Sequence, residues 1–205
     1  RQATAEILQD DLAALYAAHQ VDAAYAPNAD QVGHRALANT ILALITRLDG
    51  GQVAQRQFDT ASNMTNQFAS LTSLIRVGKG EAATQAFYEQ WQHERLVINK
   101  WFGAQIGAAA PEEAITVTRR LTDHPDFTPE NPNRFRATLG SFTGNTAAFH
   151  QADGAGYALL ADWLITLDPI NPQPTARMTA AFETWRLFDT DRQDTAALHL
   201  PRGDA

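Results

Sequence analysis

The chain has no cysteine. Disulfides and thiolate metal sites are excluded, and the absence agrees with a cytosolic life. No apolar run approaches the roughly twenty residues needed to cross a bilayer. No convincing alternation of apolar and polar residues marks a strand anywhere, and valine is sparse beside abundant alanine, which favours helices. Basic residues are also short, 16 Lys and Arg against 23 Asp and Glu, for a net charge of −7. Duplex nucleic acid needs a broad basic face, so that class of partner is not expected, although a local cationic site is compatible with the balance. The chain opens at Arg1 without Met and without a charged-then-apolar leader, so no signal peptide is visible. A start inside helical sequence is what a piece of a longer polypeptide would show.

What is present describes an ordinary folded chain. Of 205 residues, 44% are hydrophobic and 19% charged, enough to bury one or two cores. Helical periodicity runs almost throughout. Ile7, Leu8, Leu12 and Leu15 predict one helix, ended by the stretch His19 to Pro27. Leu37, Ile41, Leu44, Ile45 and Leu48 predict the buried face of a second, stopped by Asp49-Gly50-Gly51. Further helices are expected over Val53 to Ser62, Met64 to Ile75 and Glu81 to Gln92. The next carries Leu96, Trp101, Phe102 and Ile106, and another begins at Pro111-Glu112-Glu113 with acidic residues suited to the helix dipole. A short helix over Thr146 to His150 and one through Tyr157, Leu160, Trp163, Leu164 and Leu167 complete the pattern. The tryptophans and phenylalanines at helical spacing are expected to be core. Short connections imply antiparallel neighbours. The expected fold is all-α, a superhelical stack of antiparallel helix pairs of the armadillo or HEAT kind, with residues 1–205 as one domain.

Two Asn-Pro dipeptides, Asn131-Pro132 and Asn171-Pro172, stand 40 positions apart, and each opens a helix with Arg in its first turns. Asn is suited to capping free N–H groups, and Pro fits the first helical position. Phe142 and Phe182 follow at the same offset from the two dipeptides, a weak internal repeat. Gln173 and Arg177, at i and i+4, share one flank of a helix whose apolar stripe is Met178, Ala181, Phe182 and Trp185. Arg136 shares a stripe with Gly140, away from Phe135, Leu139 and Phe142. Two guanidinium groups and an amide would suit a carboxylate, because Arg presents a fixed fork of donors. Spacing alone favours the plainer reading, in which these Args pair with nearby carboxylates at the surface.

Other chemistry finds little support. The run His93-Glu94-Arg95-Leu96-Val97 begins like a zinc-peptidase helix but has Val97 where the second His is required. The remaining histidines show no ligand spacing. No Ser sits in a nucleophile elbow, and the turn Asp153-Gly154-Ala155-Gly156 lacks a preceding strand. No metal or catalytic set is expected in this chain.

Several runs resemble the C-terminal helical domain of bacterial aminopeptidase N, a zinc metallo-aminopeptidase family. They are Gln57-Phe58 with Asn63-Met64-Thr65, then Leu96 through Phe102, His124-Pro125, and Asn131 through Arg136. Ala148-Phe149-His150, Asp153 through Tyr157, Leu167-Asp168, Asn171-Pro172-Gln173 and Arg177 continue it, so that the resemblance covers about Tyr25 to Gln193. It implies a late domain, whose zinc and substrate-loop motifs lie upstream in the same polypeptide. On that implication the parent removes N-terminal residues from peptides, and this domain closes over the active site in the cytoplasm. Arg136, Gln173 and Arg177 would then be substrate-binding residues on the peptide's C-terminal side. The implied partners are the upstream catalytic domain and a peptide substrate, with zinc as cofactor of the parent and none in this chain. Two departures stand out: Asn66 where an Asp is common, expected to be a mild surface change, and an abrupt ending over Leu198 to Gly203 that leaves the final packing element shortened. The competing reading is an independent helical-repeat interaction module.

Overall fold

The computed structural model describes residues 1–199, and among these there is helix but no strand. The all-α expectation holds. The chain divides into two compact units, Arg1–Trp91 and Gln92–Ala205. The expected shortening of the final element, over Leu198 to Gly203, lies largely outside the described residues.

The first unit holds α1 (Gln2–Ile7), α2 (Gln9–Ala18), α3 (Ala29–Asp49), α4 (Gln52–Thr60), α5 (Met64–Arg76) and α6 (Glu81–Trp91). Gly50 and Gly51 both take left-handed backbone (φ 65 and 97) between α3 and α4, which is why the sequence needs two glycines there. Asp49 closes the turn by accepting the backbone N–H groups of Gly51 and Val53, each at 2.8 Å. Asn63 caps α5 by accepting from the N–H of Asn66 at 3.0 Å. Inside the unit a polar knot ties four helices together, α2 to α5. Gln57 Nε2 donates toward Asn39 Oδ1, Asn66 O and Ser70 Oγ at 2.9–3.0 Å, and Gln57 Oε1 accepts from the Tyr16 hydroxyl at 2.6 Å. Asn66 in turn accepts from Asn39 Nδ2 at 3.1 Å. Asn66 is therefore a half-buried member of this knot, and its reading as a surface change is corrected.

Two further corrections concern buried faces. The first predicted helix is broken at Leu8, and of its four apolar residues only Leu12 is buried. On α3 the face is rotated: Ala38, Ile41 and Leu42 are buried, whereas Leu37 and Leu48 face solvent. An alanine-rich helix packs by its small side and has little contrast from which to read the stripe.

The second unit runs α7 (Arg95–Ala108), α8 (Pro111–Thr122), α9 (Pro132–Phe135), a π-helical turn (Arg136–Gly140), α10 (Ser141–Gly144), α11 (Thr146–Phe149), α12 (Ala155–Leu167) and α13 (Pro172–Met178). Two 3₁₀ turns (Thr179–Phe182 and Trp185–Leu187) and α14 (Thr190–His199) follow. The expected single helix behind Asn171 therefore tightens at Thr179 and breaks before Trp185. Leu96, expected inward on α7, is exposed, and Ile98 takes its place. The core is aromatic: Phe102, Phe135, Phe142, Phe149, Tyr157 and Phe182 are all buried. Phe149 is its centre, with Phe142 at 6.0 Å, Tyr157 at 5.2 Å and Phe182 at 5.7 Å between ring centroids. Gly156 lets α12 approach this centre, since a Cβ there would lie 2.4 Å from the Phe149 carbonyl oxygen.

Candidate functional site

The site is built on the two Asn-Pro starts. At the first, Asn131 Oδ1 accepts the backbone N–H groups of Asn133 (3.0 Å) and Arg134 (3.3 Å), the cap the sequence predicts. Arg134 turns inward. Its Nε donates to Asn99 Oδ1 and its Nη1 to the Asp126 carbonyl, both at 2.6 Å, and its guanidinium lies 4.6 Å over the Phe102 ring. His124 braces the same corner between Trp101 and Phe102 and accepts the Asp126 N–H at Nδ1. Burial pushes the His124 pKa down, opposed by Asp126 and reinforced by Arg134. With Nδ1 as an acceptor, its ring is neutral. Arg134 is thus an anchor that fixes the direction of its neighbour, Arg136.

Arg136 turns outward and is exposed. Its Nη2 donates to Asn133 Oδ1 at 2.7 Å, which orients the guanidinium without neutralising it. It opens the π turn, in which residues i and i+4 nearly eclipse, and its Cγ lies 3.3 Å from where a Cβ on Gly140 would stand. A π turn inside helical sequence commonly marks a functional position.

At the second start Asn171 makes no side-chain cap. The expectation that both Asn residues cap is corrected, and the sequence supplies part of the reason. A cap bonds the N–H of the second or third helical residue; the third here is Pro174, which has none, so a cap could use only the Gln173 N–H. Thr175 holds the turn instead, its hydroxyl donating to the Asn171 carbonyl at 3.0 Å.

Between the two starts lies a cleft of about 110 Å³. Pro132, Phe135, Pro174 and Met178 form its apolar lining, and Arg136, Asn171, Gln173 and Arg177 supply the polar groups. The three residues expected to bind substrate, Arg136, Gln173 and Arg177, meet here. No acidic residue lines the cleft, and among the described residues neither Arg136 nor Arg177 forms an ion pair. The plainer alternative of surface pairing is thus not seen among the described residues. Asn133 was not singled out by spacing, and Asn171 was read only as a cap. Pro174, which removes one of the two N–H groups an Asn171 cap could bond, was the available signal.

The volume admits a terminal group and not a whole peptide, for which several hundred Å³ are usual. Two guanidinium groups over an apolar floor can take one carboxylate by bidentate hydrogen bonds. A larger groove of about 700 Å³ lies along α12 and α13, but its charged lining is Asp162 and Asp168, with no Lys or Arg. Its sign is wrong for a carboxylate. Among the described residues no group of three His, Cys, Asp or Glu is placed to hold a metal ion, and no helix is long and apolar enough to cross a membrane.

Comparison with known proteins agrees with the resemblance read from the sequence. The chain is 34% identical over 201 residues to aminopeptidase N of Caulobacter vibrioides, matching 95% of this chain and 23% of that protein. It is 34% identical over 205 residues to aminopeptidase N of Escherichia coli, matching 96% and 23%. In structure it is similar to Legionella pneumophila aminopeptidase A, solved in complex with aspartic acid, with a TM-score of 0.87 and 29% identity over 97% of this chain and 25% of that one. The chain thus spans about a quarter of the length of the curated relatives it matches. The profile of one family covers residues 1–202, and the chain belongs to that family, described as a domain of unknown function (DUF3458_C) with ARM repeats.

Proposed function

We propose that residues 1–205 form one domain, the C-terminal helical domain of a longer, cytoplasmic zinc aminopeptidase. The parent removes N-terminal residues from peptides, and this domain limits access to the active site and receives the far end of the substrate. The single observation that carries the reading is the meeting of Arg136, Gln173 and Arg177 in one cleft free of carboxylates. Such a cleft fits the trailing carboxylate of a short peptide, with the guanidinium forks on its oxygens and Gln173 beside them. Both guanidinium groups are exposed, so the attraction is partly screened and weakens with salt.

Zinc belongs to the upstream domain on this reading. His93 and Glu94 are followed by Val97 at the position a second ligand would occupy, so this chain's donors do not fit the metal. The parent polypeptide is expected to carry a His-Glu-x-x-His helix before this segment and to hydrolyse alanyl-p-nitroanilide, with loss of activity in a chelator. Hydrolysis by the isolated 205-residue chain, or a parent without that helix, would overturn the proposal.

A further inference from the structure

The two Asn-Pro starts share a sequence motif but not a chemistry. Asn131 spends its side-chain oxygen on two backbone N–H groups. Asn171, with φ −152 and ψ 89 and with Pro174 removing one of the two N–H groups a cap can bond, makes no cap. Its side chain has no hydrogen-bond partner among the described residues, yet it lines the cleft beside Arg136, Gln173 and Arg177. Ser or Thr would serve a cap as well as Asn does. Only a side-chain amide offers an acceptor oxygen and two donor N–H groups at once, the complement of a peptide group.

We propose that Asn171 is a ligand-reading residue, whose amide hydrogen-bonds the last peptide group of a substrate while Arg136 and Arg177 hold its carboxylate. The inference rests on the carboxylate reading of the cleft and adds a specificity to it. The cleft distinguishes a peptide from other carboxylates, because a carboxylate whose last linkage is an ester has no N–H for the Asn171 oxygen. Leaving that oxygen unpaired lowers the preference for the ester.

The test uses the full-length polypeptide that carries this chain, with trialanine and its analogue Ala-Ala-lactate, in which an ester replaces the last amide. The scissile bond is the same amide in both. The wild type is expected to favour trialanine by about fivefold in kcat/KM, the worth of one hydrogen bond. Asn171→Ala is expected to bring the two substrates level and to leave Tm unchanged, while Asn131→Ala lowers Tm. Asn171→Ser, which keeps a capping side chain, is also expected to lose the discrimination. Retained discrimination in both Asn171 variants, with a fall in Tm for Asn171→Ala, would show a structural cap and overturn the proposal. Arg177→Ala separates the two levels. A parallel loss on both substrates supports the carboxylate reading whatever Asn171 does, and no loss on either contradicts that reading.

Discussion

Phe142 and Phe182, each eleven residues after the Asn of its Asn-Pro dipeptide, pack their rings against the same side chain, Phe149, at 6.0 and 5.7 Å. The weak internal repeat thus has a physical meaning: its matching phenylalanines bring the two helix starts to one core. The cleft between those starts follows from that shared contact. Phe182→Ala is expected to destabilise the chain by about 3–5 kcal/mol, the usual range for a buried aromatic truncated to Ala. Phe182→Leu should recover more than half. Urea denaturation of both variants checks the order, and a loss below about 1 kcal/mol for Phe182→Ala would show that the 3₁₀ turn does not depend on Phe149.

Arg134 and Arg136 are two residues apart and have opposite roles. Arg134 is buried and bonded to Asn99 and to the Asp126 carbonyl. Its replacement by Ala leaves those acceptors without their charged donor and is expected to cost about 2–3 kcal/mol. Arg134→Lys cannot reach both acceptors from one ammonium and should recover only part of the loss. Arg136→Ala, at an exposed position, should change stability by less than about 0.5 kcal/mol. Equal effects from Arg134→Ala and Arg136→Ala would contradict the division.

Two glycines should respond oppositely to alanine. Gly156 meets backbone, its added Cβ falling 2.4 Å from the Phe149 oxygen, so Gly156→Ala forces α12 away from the core. A loss of about 2–3 kcal/mol is expected from overpacking. Gly107 lies exposed within α7 with open space around it, and Gly107→Ala should gain about 0.5–1 kcal/mol through helix propensity. Thermal denaturation of the pair gives the two signs directly.

Acid should weaken the second unit through two desolvated histidines. His150 is buried, its Nδ1 2.8 Å from the Tyr157 hydroxyl and its ring stacked on Phe188 at 4.0 Å. Burial pushes its pKa down, and Arg192, which donates to the His150 carbonyl and pairs with Asp189, pushes it further. The unfolded chain then binds a proton at higher pH than the folded one, so stability falls as pH drops below about 6.5 and stops falling once the folded-state pKa is passed. His124, also lowered by burial, adds to the same window. Asp189, held low by hydrogen bonds from Arg192, acts only below the ordinary carboxylate range. Denaturation midpoints between pH 8 and pH 5 should fall for the wild type and fall less for His150→Gln. An unchanged slope in that variant would remove His150 from the account.

Much of this was legible because the chain punctuates its helices strongly. Gly50-Gly51, Asn63, Pro111 and Asn131-Pro132 mark boundaries through backbone chemistry that acts locally. Faces were less legible where alanine surrounds the helix: Leu37 and Leu96 looked inward by period, but Ala38 and Ile98 are the buried residues. Small side chains allow close approach, and that advantage depends on the partner helix. The stripe Met178, Ala181, Phe182 and Trp185 looked continuous because period alone does not separate an α-helix from tight 3₁₀ turns. Of the cleft, Gln173 and Arg177 were legible from i, i+4 spacing, whereas their meeting with Arg136 depends on the Phe149 core. Asn133 and the uncapped Asn171 were hidden for another reason, since a side chain's local hydrogen-bond partner depends on backbone geometry that spacing does not give.

The central claim is that Arg136 and Arg177 hold the trailing carboxylate of a short peptide. The most direct measurement compares Arg177→Ala with wild type in the full-length polypeptide, on trialanine and on alanyl-p-nitroanilide, which has no distal carboxylate. A lost charge-assisted hydrogen bond, worth about 1.5–3 kcal/mol, predicts a fall in kcat/KM of tenfold or more on trialanine and little change on the anilide. Equal losses on the two substrates, or none on either, would contradict the account.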